Sequence, residues 1–422
     1  MPNDLLPGPA RKLNPSVGEV DALRPFGLYV HFPFCGLRCP YCDFAIDVRK
    51  EIPHQRYADA VCAEIAARAP WFSAAQTGNQ NNPSALVSVY FGGGTPGLWR
   101  PACVEQVIST ACHAFGVPAA SRPGLEVTLE ANPGEVSLPH LRALRDVGIN
   151  RLSFGVQTFD DGLLTKLGRS HNQREALNAI PLAREAGISN ISCDLMFGLP
   201  GQTEAQWRHS LEILIDQQPE HVSCYALTVE PFTPFGQLER KGQLDRPDED
   251  AVAAWFTIGE DLLGAAGYQH YEVSSYARRG GRARHNSLYW TQGSYLGVGC
   301  AAASFRPLAS GGAWRFVNPR ATETYLKAAE AGGGHVAPSQ VEWRAPEELE
   351  REALWLGLRT LDGVDRILHR RLFGRDPLDG AGRAQAAERL VAAGWLIVHP
   401  DRLSPTLAGL GFADELATRL WD

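Results

Sequence analysis

Short apolar runs alternate with longer amphipathic segments through the first half of the chain. The first run, at residues 28–32, has the length of a buried strand, and similar runs predict strands at 86–91, 125–130, 151–155, 191–196 and 222–226. Apolar residues at helical spacing predict helices that begin at Pro53 and then occupy 101–114, 138–147, 174–186 and 204–217. Strands that alternate with helices predict a parallel sheet with right-handed crossovers.

Polar, small or thiol-bearing residues stand at or just after the carboxyl end of each predicted strand. They are Cys35, Gly93, Glu130, Gln157, Asp194 and Thr228. In a parallel barrel that rim carries the active site, whereas a doubly wound sheet gathers its site at one crevice. Strands that each contribute one such group therefore favour an α/β fold of the partial (β/α)6 barrel type.

The rhythm of the pattern changes near residue 230. We predict four regions: a flexible tail at 1–25, the partial barrel at 26–230, an α+β extension completing the barrel side at 231–340, and a C-terminal domain at 341–422. Within the extension, the sequence predicts a helix at 248–266 and one strand at 268–276. The C-terminal domain is predicted to be helical with one hairpin, which resembles a winged helix. Because it lacks a basic recognition stripe, a packing module is the favoured alternative.

Composition narrows the classes of function. The 422 residues are 44% apolar and 21% charged, as in an ordinary globular chain, and the net charge of −7 argues against nucleic acid as a partner. Six of the nine cysteines are scattered singly, as in reduced cytosolic proteins. No apolar run has the roughly 18 residues of a membrane span, and the N-terminus lacks a signal-peptide pattern. We therefore expect a cytoplasmic protein, and any membrane association to be peripheral.

The remaining three cysteines stand together on one predicted loop. Cys35, Cys39 and Cys42 have the spacing C-x3-C-x2-C, directly after the strand at 28–32. Three thiolates on a short loop suit an iron–sulfur cluster or zinc, and three ligands leave one metal position open. Zinc with a distant fourth ligand, for which His31 is near, is one alternative. Three unrelated buried cysteines are another.

This loop resembles the signature of the radical S-adenosylmethionine (SAM) enzymes, in which an aromatic residue, here Tyr41, precedes the last cysteine. The resemblance implies that Cys35, Cys39 and Cys42 bind three irons of a [4Fe-4S] cluster. SAM would chelate the fourth iron through its amino and carboxylate groups. An electron from the cluster would then cleave SAM to a 5′-deoxyadenosyl radical.

The same resemblance assigns the groups along the barrel rim to the cofactors. The glycine-rich segment at 92–96 would lie beside the SAM methionyl amine, and Arg169 could pair with the SAM carboxylate. A tight turn is the alternative for the glycines, and a solvated rim is the alternative for the polar residues. The expected cofactor contacts are Tyr29, Tyr41, Phe44, Gly93, Gly94, Thr95, Glu130, Gln157, Arg169, Asp194, Thr228 and His285.

Three further motifs, at 155–159, 197–203 and 285–290, resemble the oxygen-independent coproporphyrinogen oxidase-like branch of that family. True oxidases of the branch carry another cysteine where this chain has Phe44. Together with the His-Asn-x-x-Tyr-Trp motif, Phe44 resembles the haem chaperones of the branch. That implies binding of haem, haem-accepting proteins as partners, an electron donor such as flavodoxin or ferredoxin, and little or no oxidase activity. The alternatives are a coproporphyrinogen oxidase, a methyltransferase or cyclopropanase, or a haem-degrading relative.

One position departs from the haem-chaperone pattern. The histidine expected after the Gly-x-Gly-Cys segment is Ala303 here and cannot bind iron. His285 and Cys300 remain as candidate axial ligands for haem iron. A hydrogen-bonding structural histidine beside Trp290 is the alternative for His285.

Overall fold

The computed structural model describes residues 25–72, 86–308 and 311–421, so the tail predicted at 1–25 lies outside the described residues except for Pro25. Six strands of the first half form a parallel array in which β1 pairs with β4 and each later strand pairs with its predecessor. This confirms the predicted parallel sheet. The strands of the first half are β1 (Phe26–Phe32), β2 (Phe34–Cys35), β3 (Asp47–Val48), β4 (Leu86–Gly93), β5 (Glu126–Ala131), β6 (Arg151–Gln157), β7 (Asn190–Phe197) and β8 (His221–Ala226).

Helices connect these strands, and two of them have the predicted bounds. Capping boxes at Asn172 and Thr203 fix where two helices begin, because each side chain accepts from a backbone N–H of the first turn. The sequence pattern missed a short helix at 161–166. The helices are α1 (His54–Arg68), α2 (Pro101–Ala114), α3 (Leu138–Asp146), α4 (Asp161–Lys166), α5 (Gln173–Glu185) and α6 (Glu204–Gln217).

The next segment extends the same sheet at both edges. Its elements are α7 (Pro234–Arg240), α8 (Glu249–Ala265), β9 (Gln269–Glu272), β10 (Ser275–Ala277), α9 (Arg284–Trp290), β11 (Ser294–Val298), β12 (Ala303–Pro307), β13 (Ala313–Val317), α10 (Thr322–Ala331) and β14 (Gln340–Arg344). In the described residues the order is β14-β13-β12-β11-β1-β4-β5-β6-β7-β8-β10-β9. The sheet therefore keeps two ends, and the barrel is partial.

The single strand predicted at 268–276 is wrong. The chain turns at Val273 and Ser274, and β10 folds back antiparallel onto β9 and β8. Tyr271 and Tyr276 are both buried although they are five positions apart, a separation that would place them on opposite faces of one continuous strand. The turn between them removes this conflict.

Helices and a small sheet form the C-terminal part of the chain. The elements are α11 (Pro346–Gly357), β15 (Val364–Asp365), α12 (Arg366–Phe373), α13 (Ala381–Ala392), β16 (Leu396–Val398), β17 (Arg402–Pro405), α14 (Leu407–Leu410) and α15 (Ala413–Arg419). The predicted hairpin is confirmed as β16 and β17, and β15 adds a third strand. The winged-helix likeness and the four region boundaries stay predictions. In the ranges that the structure describes, no helix is long and apolar enough to cross a membrane.

A buried ion pair fastens α1 to the edge of the sheet that the second half supplies. Arg68 Nη1 lies 2.7 Å from Glu64 Oε1, and both side chains are almost fully buried. Asn318 and Tyr325 donate to the same carboxylate at 2.8 Å each. Arg68 also donates to the Val336 carbonyl at 2.9 Å. Each buried charge therefore has several partners, which offsets the cost of removing it from water.

We expect Arg68→Met to lower the free energy of unfolding by about 3–5 kcal/mol, because it leaves the Glu64 charge buried without its cation. The matched control is Arg56→Met, on the exposed face of the same helix, where loss of the Glu330 pair should cost only about 0–1 kcal/mol. Urea unfolding followed by circular dichroism measures both. Equal losses in the two variants would contradict this account of the ion pair.

Candidate functional site

The cysteine loop is held at the carboxyl end of β1 by its own short sheet. Strand β2 ends at Cys35 and pairs in parallel with β3, which begins at Asp47. The Asp47 N–H also donates to the Pro33 carbonyl at 2.8 Å. A turn between Cys39 and Cys42 folds the intervening residues back. The loop therefore leaves and re-enters the barrel at one place, and its thiols stay at the rim.

One cavity of about 350 Å³ opens beneath this loop. It is lined by the carboxyl ends of β4 to β8 and by the cysteine loop. Most of the predicted site residues line it together: Cys35, Cys39, Cys42, Tyr41, Phe44, Gly93, Gly94, Thr95, Glu130, Gln157, Arg169 and Asp194. The rim of the parallel strands thus brings together residues that are far apart in sequence, as expected for a barrel site.

The glycine segment packs against the cysteine loop. Gly93 has φ +114°, and a Cβ there would lie 2.7 Å from the His31 ring. A Cβ on Gly94 would lie 2.7 Å from the Phe34 carbonyl oxygen. The Gly94 N–H donates to Phe32 O at 2.7 Å. These glycines are therefore required by close contact within the protein as well as by any ligand.

A chain of hydrogen bonds connects the cysteines to Arg169. The Thr95 hydroxyl donates to Cys35 Sγ at 3.5 Å, and the Asn132 side-chain amide donates to Thr95 Oγ1 at 3.3 Å. The Asn132 oxygen accepts from Arg169, which also donates to Gly155 O at 2.7 Å and to Cys39 Sγ at 3.8 Å. Arg169 Nε is buried without a hydrogen-bond partner among the described residues. The guanidinium is therefore fixed at the cavity wall with one donor unused.

Two carboxyls at the cavity floor have pKa values close to neutral pH. Burial raises the pKa of Glu130 to about 7, although the Tyr90 hydroxyl donates to it at 2.7 Å and the Gly93 N–H at 3.2 Å. Burial likewise raises the pKa of Asp194 to about 6, opposed by a hydrogen bond from Ser223. Both carboxyls can thus accept from hydroxyl or ammonium groups of a ligand once they are ionised.

Gln157 lies at the end of β6 with φ +69°, the left-handed region that glycine usually occupies. The register of β6 against β7 shifts at this point. Gly155 provides the space, because a Cβ there would lie 2.9 Å from Gln157 Nε2. Backbone held in this region by its surroundings is typical of ligand sites.

Three predicted contacts are not among the residues that line the cavity. Thr228 is exposed on the loop beyond β8 while Tyr225 lines the cavity, and a cofactor contact of Thr228 stays a prediction. Tyr29 lies inside the barrel, where it hydrogen-bonds to His31 at 3.1 Å. His285 lies deeper, and burial lowers its pKa to about 3.

Neither candidate axial ligand is available as placed. The His285 ring nitrogens hydrogen-bond to Ser88 at 2.9 Å and to Tyr289 at 2.8 Å, which favours the structural alternative. Cys300 is fully buried, and its sulfur accepts from the Tyr57 hydroxyl at 3.6 Å. Ala303 begins β12, as a strand residue paired with Val317.

Sequence reasoning missed several lining residues. Asn132, Ser153, Met196 and Tyr225 all line the cavity. Asn132 and Met196 were detectable, because each lies two positions from a predicted site residue, Glu130 or Asp194, and so shares its face of the strand or its extension. Leu37 was not detectable, because nothing in the pattern places an apolar loop residue at a polar cavity.

The donor set fits an iron–sulfur cluster with a polar organic ligand beside it. Soft thiolates suit iron, and the cavity behind them offers carboxyls, an unused guanidinium donor and glycine backbone. Across the described ranges, no three His, Cys, Asp or Glu side chains could share a single metal ion. Thiolates that bind three different irons of a cluster lie further apart than the ligands of one zinc ion, so this spacing is compatible with a cluster.

Comparison with known proteins gives consistent matches. Residues 29–214 match the radical SAM superfamily. The chain is 36% identical to haem chaperone HemW of Synechocystis sp., over 81% of this chain and 80% of that protein. It is 36% identical to haem chaperone HemW of Bacillus subtilis, over 83% and 88%. It is also 36% identical to the mitochondrial radical S-adenosyl methionine domain-containing protein 1 of Mus musculus, over 93% and 86%.

Among solved structures, coproporphyrinogen III oxidase HemN of Escherichia coli, a radical SAM enzyme, aligns with a TM-score of 0.76. The alignment covers 94% of this chain and 90% of that chain at 22% identity. This likeness shows that the two chains share a fold, and it confirms the predicted partial-barrel class.

The raised pKa of Glu130 predicts a pH dependence of stability in cluster-free protein. Its folded-state pKa of about 7 exceeds the ordinary value of 4.5, so the folded chain holds the proton more tightly. Its contribution to stability is therefore complete at low pH and is lost as the pH rises from about 4.5 to about 7. Over that window we expect the free energy of unfolding of the wild type to fall relative to Glu130→Gln, by up to about 3 kcal/mol.

Urea unfolding at several pH values checks this expectation. The matched control is Glu185→Gln, whose side chain is exposed on α5, and it is measured at the same pH values. A constant difference between the wild type and Glu130→Gln would contradict the assignment.

Proposed function

This chain belongs to the radical SAM superfamily and, within it, to the haem-chaperone family, and on that premise we propose that it binds haem and delivers it to target proteins. Its cofactors are a [4Fe-4S] cluster and SAM. The observation that carries the proposal is the extent of the likeness: 36% identity across at least 80% of the length of two haem chaperones.

The cysteine loop and the cavity have different roles, since the loop would bind the cluster and the cavity would bind SAM. Cys35, Cys39 and Cys42 would hold the cluster and leave one iron open to SAM. In this superfamily the reduced cluster supplies the electron that cleaves SAM. Around the open position, Glu130 and Asp194 would accept from ribose hydroxyls or the SAM ammonium, and Arg169 Nε would donate to the SAM carboxylate. Support comes from the placement of all six side chains on one cavity.

The oxidase alternative has less support. The likeness to the Escherichia coli oxidase is 22% in sequence and concerns the fold. Phe44 stands where oxidases carry an additional cysteine, and its exposed ring lines the cavity mouth. A phenyl ring offers neither a thiol nor a proton donor at that point, so the chaperone proposal is preferred.

The cellular setting is part of the proposal. All nine cysteines are unpaired, as a reducing compartment would keep them, which supports the cytoplasm. The partners would be haem-accepting proteins and a small electron donor such as flavodoxin or ferredoxin. The proposal does not assign His285 or Cys300 as iron ligands, because both side chains form hydrogen bonds inside the protein.

We expect anaerobically reconstituted protein to bind haem with a Soret band distinct from that of free haem. The haem should then pass to an apo-haemoprotein such as apomyoglobin, as followed by the change in absorbance. Incubation with coproporphyrinogen, SAM and reductant is the parallel assay, and it should yield little protoporphyrinogen. Substantial protoporphyrinogen, or no haem binding, would overturn the proposal.

A further inference from the structure

An apolar rim surrounds the entrance to the cavity. It consists of Leu37, Phe44 and Tyr225, whose relative exposures are 58%, 60% and 41%. All three residues also line the cavity, so the rim continues inward to the cluster loop and the strand ends. Large side chains exposed side by side at a cavity mouth are typical of a surface that a ligand covers.

Each rim element is fixed by the protein beneath it. The Tyr41 ring, between the two loop residues of the rim, lies 6.4 Å from the Phe235 ring. The Phe235 N–H donates to the Pro40 carbonyl at 3.0 Å. The loop that carries Leu37 and Phe44 is thus anchored from below, while these two side chains remain outside. Leu37 and Phe44 are therefore exposed on a loop that the rest of the protein holds in place.

Two arginines border the rim. Arg38, between Leu37 and Cys39, donates to the Ile46 carbonyl at 3.2 Å, and Arg320 donates to the Asp43 carbonyl beside Phe44. A guanidinium has five N–H donors, so each retains donors for a carboxylate. Asp43 and Glu135 are the acidic neighbours of the cysteines, so recognition here depends on directed hydrogen bonds more than on net charge.

We propose that the apolar rim is the haem-docking surface, with the flat macrocycle lying on Leu37, Phe44 and Tyr225 and the propionates reaching Arg38 and Arg320. This inference rests on the proposed function and adds the place on the protein where haem would bind. A tetrapyrrole has the matching chemistry, because it combines a wide apolar face with two carboxylates at one edge. Haem would cover the entrance above SAM and keep its outer face open to an acceptor protein.

The side chains of the rim also determine how much iron coordination contributes to haem affinity. Leu37 and Phe44 offer no ligand for iron, so the macrocycle and its carboxylates would carry the binding. A weakly coordinated iron is suited to a carrier, since an acceptor that supplies a strong axial ligand can remove the haem. Metal-free protoporphyrin IX, which has no position for an axial ligand, should accordingly bind about as tightly as haem, and this distinguishes the rim from a site built on an axial histidine.

The experiment must also exclude a second groove as the haem-binding site. It has a volume of about 740 Å³ and lies between α8 and α14, where Leu407 is 49% exposed. Its size would admit a tetrapyrrole, and none of the residues that line it also lines the cavity below the cysteine loop. Leu37→Ser and Leu407→Ser are therefore a matched pair of substitutions.

The test is fluorescence titration of metal-free protoporphyrin IX into reconstituted wild type and variants, with the variants matched to the wild type in iron content. Leu37→Ser should raise Kd about tenfold, because a half-covered leucine is replaced by a hydroxyl, and Leu407→Ser should change it less than twofold. Phe44→Ser, outside the cysteine motif, should repeat the effect if Leu37→Ser disturbs cluster assembly. The dimethyl ester should bind more weakly than the diacid, and Arg320→Gln should reduce that difference.

The outcomes separate the two proposals. Wild-type protein that binds neither haem nor metal-free protoporphyrin IX would overturn the proposed function and the rim together. Binding that survives Leu37→Ser and Phe44→Ser unchanged, or that is lost in Leu407→Ser, would overturn the rim alone. Haem binding without binding of metal-free protoporphyrin IX would show that an iron ligand carries the affinity and would also overturn the rim.

Discussion

The structure depends on fixing three thiols at the carboxyl end of one strand without giving them a fourth protein partner. The loop that carries Cys35, Cys39 and Cys42 is closed at its base by the pairing of β2 with β3, and it is supported from the side by Gly93 and Gly94. Those contacts leave no space for a larger side chain. The thiols therefore face a cavity whose other walls come from five further strands, and the open metal position that follows is what a chelating cofactor requires.

Inside the barrel, a series of buried polar groups connects the cysteine loop to α9. His31 donates to the Ala45 carbonyl of the cysteine loop at 2.9 Å and accepts from Tyr29. The Tyr29 ring stacks against Tyr90, which donates to Glu130 and stacks on His285. The backbone N–H of His285 donates in turn to Glu126 at 2.9 Å. Because buried polar groups are costly without partners, this column specifies one position for α9 and one floor for the cavity.

Sequence reasoning reached the sheet, most of its helices and most of the cavity lining, because each depended on a local pattern: apolar runs for strands, apolar residues at helical spacing for helices, and polar residues at strand ends for the site. It did not reach features that side-chain partners decide. Thr228 has the right residue type near a strand end, yet it is Tyr225 that lines the cavity. His285 stands in a motif with ligand chemistry, yet Ser88 and Tyr289 occupy both ring nitrogens. Nothing local to Asn132 indicated that it would join Thr95 to Arg169, since these residues follow three different strands and are far apart in sequence.

The central claim is that three cysteines hold a four-iron cluster whose remaining iron is open to SAM. Electron paramagnetic resonance of the anaerobically reconstituted and reduced protein, recorded before and after addition of SAM, tests it most directly. The account predicts about four irons per chain and a clear shift of the cluster signal when SAM is added, because SAM replaces the weak ligand on one iron. A signal that SAM leaves unchanged, or a protein that retains zinc in place of iron, would contradict the account.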